Sequence, residues 1–240
     1  MEGALAYLIR VYADTSTTGY YSPLHPELGC ATLIPIPDPR VKSPPPWLDP
    51  WRVRDPCTRR EIAWFMPLGG EWPLHRDPRL DAGFYTEPLG RRGRLPADAN
   101  RGWLLAFASG LAEYPRGFWY ERRGLGEIKR WFRKATVEGK TGVYIIALME
   151  VERVVEVRDW AGAPEALWES PHRVYGEPVR AFLGRVEVLH PPIPLKTLES
   201  GALKPRIRVL ERGRFRLGPL GPREEFFIEL ERALRRLGYR

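Results

Sequence analysis

A chain of 240 residues with 43% apolar side chains and a formal net charge of +8 can bury a substantial core. It contains nothing close to the roughly 18 consecutive apolar residues that a membrane span needs. The start, MEGALAYLIRVYADT, lacks the basic n-region of a signal peptide, so we expect one elaborated, soluble, cytoplasmic domain over residues 1–240, with no membrane partner.

Two cysteines, Cys30 and Cys57, are too few for a disulfide framework and lack the spacing of a cysteine zinc site. A structural thiol is the default reading, and one disulfide is the alternative. Gln is absent, Asn occurs once, at Asn100, and there are 25 prolines, a composition that suits a thermophilic source. The positive charge comes from 32 arginines against 6 lysines. Arginine grips phosphate and stacks on bases, although GC-rich codon usage accounts for the same excess.

In chain order, an apolar β-rich run over 4–12 leads into "ADTSTTGYYSPLHPELGCATLIPIPDPR" at 13–40. This polar, aromatic, proline-studded segment reads as a binding loop, because long structureless connections inside domains tend to be functional. A turn-rich loop held by its own hydroxyls is the alternative. A second β run lies inside it at 31–37. Residues 41–100 are the least regular part, and Trp47, Trp51, Trp64 and Trp72 are candidates to pack them. Within them "HRDPRLDAG" places His75 and Asp77 two residues apart. In an extended segment they share one face with backbones roughly 7 Å apart, and in an Asp-Pro turn the carboxylate caps its own backbone.

The two strongest strand runs, 102–109 and 142–157, are expected to pair antiparallel in one closed or nearly closed sheet. Between them "FWYERRGLGEIKRWFRK" carries Arg122, Arg123, Lys129, Arg130, Arg133 and Lys134 among aromatic residues, on a helix around 126–139. Basic side chains beside aromatic platforms can track a nucleic-acid backbone, and a solvated amphipathic helix has the same composition. A short helical pattern at 164–169 precedes His172 in "ESPHRVYG". With His75 and Asp77 it completes His-x-Asp…His, the ligand pattern of a two-histidine, one-carboxylate iron site. His25 and His190 precede prolines and read as structural. Further β runs follow at 180–190, 206–210 and 214–218, the last two joined by a hairpin at Gly213. A terminal helix over 222–238 has acidic residues in its first turn and arginines in its last.

The runs from Asp14 through "YYSP" and "LIPIPD", then "HRDPRLDAG", "GWLLAFASGL", "GVYIIALMEVERVV" and "ESPHRVYG" before "RAFLGRVEVLHPPIPL", resemble the nucleotide-modification-associated domain of the third type, over about residues 10–220. That family is grouped with predicted DNA-base modification systems. The resemblance implies that Asp14, Ser22, Pro23, His75, Asp77, Pro78 and His172 occupy its recurring polar positions. The "GD" that usually opens the third run is "RGW" here, at Arg101 to Trp103. Residues 100–190 also look like the core of the PUA-like barrels, including the ASCH and EVE domains, which hold modified bases.

These readings combine into an α+β fold: a PUA-like, mainly antiparallel β-barrel (core about 100–220) with long N-terminal loop insertions and a packed C-terminal helix. The expected function is a nucleic-acid or modified-nucleobase binding module linked to base modification. The alternatives are a base-modifying enzyme in the same pocket, including an iron-dependent oxygenase on His-x-Asp…His, and an interaction protein. The expected pocket is formed by Asp14, Tyr20, Tyr21, Ser22, His75, Asp77 and His172, with no bound metal and no cofactor. The expected partner is a nucleic acid or nucleotide.

Overall fold

A computed structural model describes residues 4–12, 15–89, 95–198 and 217–238. The strands are β1 (Leu5–Arg10), β2 (Ser22–His25), β3 (Cys30–Ala31), β4 (Ile36–Pro37), β5 (Leu74–His75), β6 (Phe84–Pro88), β7 (Leu104–Glu113), β8 (Thr141–Val157), β9 (Val179–Pro194) and β10 (Leu217–Pro222). The α-helices are α1 (Leu125–Val137) and α2 (Arg223–Arg236).

The main sheet runs β10-β1-β7-β8-β9-β6, with β2 and β3 added beside β7. β7 and β8 pair antiparallel, as expected, from Leu104 opposite Glu150 to Ala112 opposite Thr141. β1 and β2 both lie parallel to β7, so the sheet is mixed. The sequence of β7 explains its central place. In LLAFASGLAE all residues but the last are buried, the continuous apolar run of a strand covered on both faces.

Alternate residues of the central strands feed two cores. Ala6, Leu8, Leu104 and Ala106 face one, and Tyr7, Ile9, Leu105 and Phe107 face the other. Helix α2 closes the first core with Phe226, Leu230 and Ala233. Burying Phe226 and Leu230 contributes about 1.5–3 kcal/mol each. Its charges follow the helix dipole, with Glu224 and Glu225 in the first turn and Arg235 and Arg236 in the last.

Register shifts at Phe107/Ala108, Ile145/Ala147 and Val151/Arg153 bend the long strands, and the sheet curls into a half-barrel. At the last of these bends a Cβ on Gly184 would collide with the carbonyl of Glu150, so only glycine allows that approach. The sheet curls without closing, since among the described residues β10 and β6 do not pair. It also extends beyond the expected 100–220 core. β1 and β6 lie on the main strand path and β2 pairs beside β7, which satisfies their backbone N–H and C=O groups.

The irregular N-terminal half has a core of its own, built from Tyr20, Ile34, Phe65, Met66 and Leu74 against Phe118, Trp119 and Ile128. Trp64 and Trp72 pack against it. A disulfide between Cys30 and Cys57 ties β3 to the connection between β4 and β5, which answers the choice between thiol and bridge. The run at 206–210 and the hairpin at Gly213 lie outside the described residues, as does most of the 214–218 run. No helix among the described residues is long and apolar enough to cross a membrane.

Candidate functional site

β4 and β5 form a two-stranded ladder that sets Ile36 opposite His75. The backbone N–H of Asp38, just past β4, donates to the carbonyl of Pro73 at 2.9 Å. That anchor brings the buried Asp38 carboxylate to His75 Nδ1, 2.9 Å away. A carboxylate only accepts, so His75 Nδ1 carries the donated proton and, in the neutral ring, Nε2 carries the lone pair.

Asp77 lies on the connection from β5 to β6. It accepts from the Thr86 backbone N–H at 3.0 Å and from the Thr86 hydroxyl. His172 sits in a 3₁₀ turn, Pro171–Tyr175, whose N-cap Ser170 accepts from the His172 N–H at 3.3 Å. Gly176 ends the turn in the left-handed region at φ 62°, where glycine carries no Cβ penalty. The reversal brings Glu177 back to His172 Nδ1 at 2.8 Å.

On its other side His172 Nε2 is 3.3 Å from Asp77 Oδ2, with both side chains almost fully buried (4% and 3% exposed). The two imidazoles meet edge to face with centroids 5.0 Å apart. Burial opposes a charge on His172, but the hydrogen bonds and charges of Asp77 and Glu177 outweigh it, so its pKa lies above the ordinary histidine value. Burial likewise works against the Asp38 anion, yet hydrogen bonds from His75 and Arg40 hold its carboxyl well below the usual range. Arg40 reaches Asp38 at 3.2 Å and Glu177 at 3.3 Å, and its guanidinium lies 3.9 Å above the Tyr175 ring.

Asp38, Arg40, His75, Asp77 and His172 border a cleft of about 500 Å³ that Arg10, Tyr12, Thr17, Ile36 and Tyr85 also line. Tyr12 stands at φ 67°, a conformation that a bulky residue keeps only when its surroundings impose it. Its hydroxyl donates to the carbonyl of Pro78 at 3.3 Å. Arg10 makes no ion pair among the described residues.

Comparison of the chain with protein-family models, curated proteins and solved structures finds no match. The chemistry of the site is therefore read from its own geometry.

Of the seven residues expected in one pocket, the structure brings together His75, Asp77 and His172, whose ligand atoms all lie within 4.8 Å of one another. Asp14 lies outside the described residues. Tyr20, Tyr21 and Ser22 are elsewhere. Tyr20 is fully buried in the N-terminal core with its hydroxyl on the Phe65 carbonyl. Tyr21 packs on Gly110 and edge-on to Phe132, and Ser22 accepts from the Ile34 N–H at 3.1 Å. A loop segment with its own core spends its aromatic rings on that core, and Thr17 and the 36–40 end of this loop are the parts that reach the cleft. Sequence reasoning missed Asp38, Arg40, Thr86 and Glu177. The Asp-Pro-Arg that closes "LIPIPDPR" and the Gly-Glu after "PHRVY" were the available signals, and neither has a spacing that links it to a histidine.

The basic tract is mostly committed internally. Arg122 pairs with Glu71, Arg123 with Glu121 and Glu127, and Lys134 with Glu138. The Lys129 stem covers Gly19. Arg130 and Arg133 are exposed and make no ion pair among the described residues. Nearby Trp119 and Tyr120 line a second cleft with Arg60 and Arg116.

Proposed function

We propose that the cleft bordered by His75, Asp77 and His172 is an active site that processes a nucleobase or nucleotide, making the chain a base-modifying enzyme and not solely a reader of bases. One observation carries this reading: both histidines of a converging His-Asp-His set have Nδ1 on a carboxylate of their own. A recognition pocket needs complementary donors and acceptors. It gains nothing from carboxylates that fix the orientation of two apposed imidazoles, whereas proton transfer and ligation both depend on that arrangement.

The cleft volume suits a single small ligand. Tyr12 and Tyr85 offer ring surfaces for a planar base, and Arg10, which makes no ion pair among the described residues, offers a cation for an anionic group. The nucleobase as substrate class rests on the resemblance of the runs that carry His75, Asp77 and His172 to the nucleotide-modification-associated domain. Exposed Arg130 and Arg133 would add a backbone contact if the substrate is a polymer. We read the half-barrel as an elaborated PUA-like sheet, supported by the antiparallel β7–β8 pair and the covering helix α2. A thermophile's cytoplasm suits both the amide-poor composition and the Cys30–Cys57 bridge, since intracellular disulfides occur in hyperthermophiles.

The test is a panel of nucleosides, nucleotides and short oligonucleotides incubated with the protein, with products read by mass spectrometry. Conversion that His75→Ala and His172→Ala abolish supports an enzyme. Binding without conversion returns the reading to a base-recognition module. Neither binding nor conversion across the panel overturns it.

A further inference from the structure

We propose that His75, Asp77 and His172 form a mononuclear site for a first-row divalent metal ion, with Nε2 of each histidine and one Asp77 oxygen as ligands. The inference builds on the cleft being an active site and supplies its cofactor. It departs from the metal-free pocket expected from the sequence, where the distance along the chain between the two histidine loops argued against ligation.

Three observations point to an ion. First, the donor atoms already converge. One ring nitrogen of each histidine and one Asp77 oxygen lie within 4.8 Å of one another, and His172 Nε2 and Asp77 Oδ2 are 3.3 Å apart. Bonds of about 2.0–2.2 Å to a common ion put neighbouring ligands roughly 3 Å apart, so that pair has the ligand spacing already and the third donor contracts onto the ion. Second, the outer shell is built. His75 Nδ1 is held by Asp38 at 2.9 Å and His172 Nδ1 by Glu177 at 2.8 Å. This is the carboxylate–histidine arrangement that orients metal ligands and directs the remaining nitrogen inward. One guanidinium, Arg40, bridges both supporting carboxylates, so the two ligand rings share a single brace. Third, three carboxylates (Asp38, Asp77 and Glu177) against one guanidinium, Arg40, surround two imidazoles, and that excess of negative groups favours a cation.

The donor set narrows the ion. Two imidazoles and one carboxylate without a thiolate disfavour the soft ions, and the imidazoles disfavour magnesium and calcium. Three protein ligands beside a cleft of about 500 Å³ leave positions for water and substrate, as in catalytic sites and unlike closed structural ones. Two histidines and one carboxylate with open positions suit iron(II) first, and zinc shares the same donors.

The test uses full-length protein purified without a chelator and without a histidine tag, and no nucleotide. Elemental analysis should find close to one equivalent of iron or zinc per chain, and its identity separates the two. After chelator dialysis, cobalt(II) should restore one equivalent with a visible absorption band. His75→Ala and His172→Ala should each lose at least nine-tenths of the metal. Asp38→Asn and Glu177→Gln should weaken affinity about 10- to 100-fold and keep the site. Circular dichroism of His75→Ala, whose side chain lies at the edge of the group, separates lost ligation from lost folding. Wild type that binds less than a tenth of an equivalent of iron, zinc, manganese or cobalt overturns the proposal, as does binding that both histidine variants retain. Turnover of a nucleotide by metal-free protein would sink the metal and keep the active site. Stoichiometric metal without any nucleotide binding or turnover would do the reverse.

Discussion

His75 and His172 meet edge to face, their planes at 85° and their centroids 5.0 Å apart, and each ring binds a different carboxylate through Nδ1. The contact joins the small β4–β5 ladder to the turn that precedes β9. Arg40 closes the circuit by bridging Asp38 and Glu177.

Because Arg40 is 42% exposed, its pairs contribute modestly. Arg40→Gln should lower stability by about 1 kcal/mol in chemical denaturation. Its clearer effect should be electrostatic. Removing the guanidinium leaves Glu177 undivided beside His172, so the His172 pKa, already above the ordinary value, should rise further in an NMR titration of the metal-free protein. A fall would contradict the arrangement.

Thr86 is almost fully buried, and its hydroxyl donates to Asp77. Thr86→Val keeps the shape and strips that donor from a buried carboxylate, which should cost about 1–3 kcal/mol. A urea midpoint equal to that of wild type would show that Asp77 is held by the Thr86 backbone N–H alone.

His25 provides a pH test away from the cleft. It is buried against Thr32 Oγ1 at 3.0 Å, and Thr32 in turn donates to Asp55 at 2.9 Å. Burial lowers the His25 pKa in spite of Asp55 and Glu27. A folded pKa below the unfolded value of about 6.5 means that the unfolded chain binds more protons below that pH. Stability from a neutral His25 is therefore complete above about pH 6.5 and declines as pH falls toward the folded pKa. The stability difference between wild type and His25→Asn should shrink on acidification through this range. A difference independent of pH between 7 and about 5 would rule this out.

The Cys30–Cys57 bridge spans 27 residues of chain. A loop of that size corresponds to stabilisation on the order of 3–4 kcal/mol through the unfolded state. Cys30→Ala combined with Cys57→Ala, or wild type under strong reductant, should unfold at a correspondingly lower denaturant concentration. Identical midpoints would exclude a stabilising bridge.

If nucleic acid binds through the exposed face of α1, Arg130 and Arg133 are the residues to reverse. Affinity for a mixed oligonucleotide should fall steeply with salt, and Arg130→Glu with Arg133→Glu should flatten the logarithmic slope by about 2. An unchanged slope would assign binding to another surface, and no affinity at low salt would leave codon usage as the account of the arginine excess.

Local patterns made much of the framework legible. The unbroken apolar run at 102–109 marks a strand covered on both faces, and it pairs antiparallel with the run at 142–157. The terminal helix is equally plain, because its charges match its dipole and its apolar residues share one stripe. The His-x-Asp pair and His172 were recognisable as chemistry-bearing residues, since side chains of those types in proline-rich turns can converge without disrupting a ladder.

The sequence by itself determined which side chains can ligate or transfer protons, and which runs must be buried. Only the tertiary structure decided which of them meet. Tyr20 and Tyr21 read as ring platforms from composition, yet they pack the loop's own core because the irregular half has to exclude water somewhere. Asp38 and Glu177 carry no signal that links them to a histidine, yet they hold the two histidines because the ladder at Ile36 and His75 and the reversal at Gly176 carry them there. Side-chain periodicity reports burial along a segment. Contacts between segments far apart in the chain depend on strand pairing and on turn geometry, neither of which leaves a periodic trace.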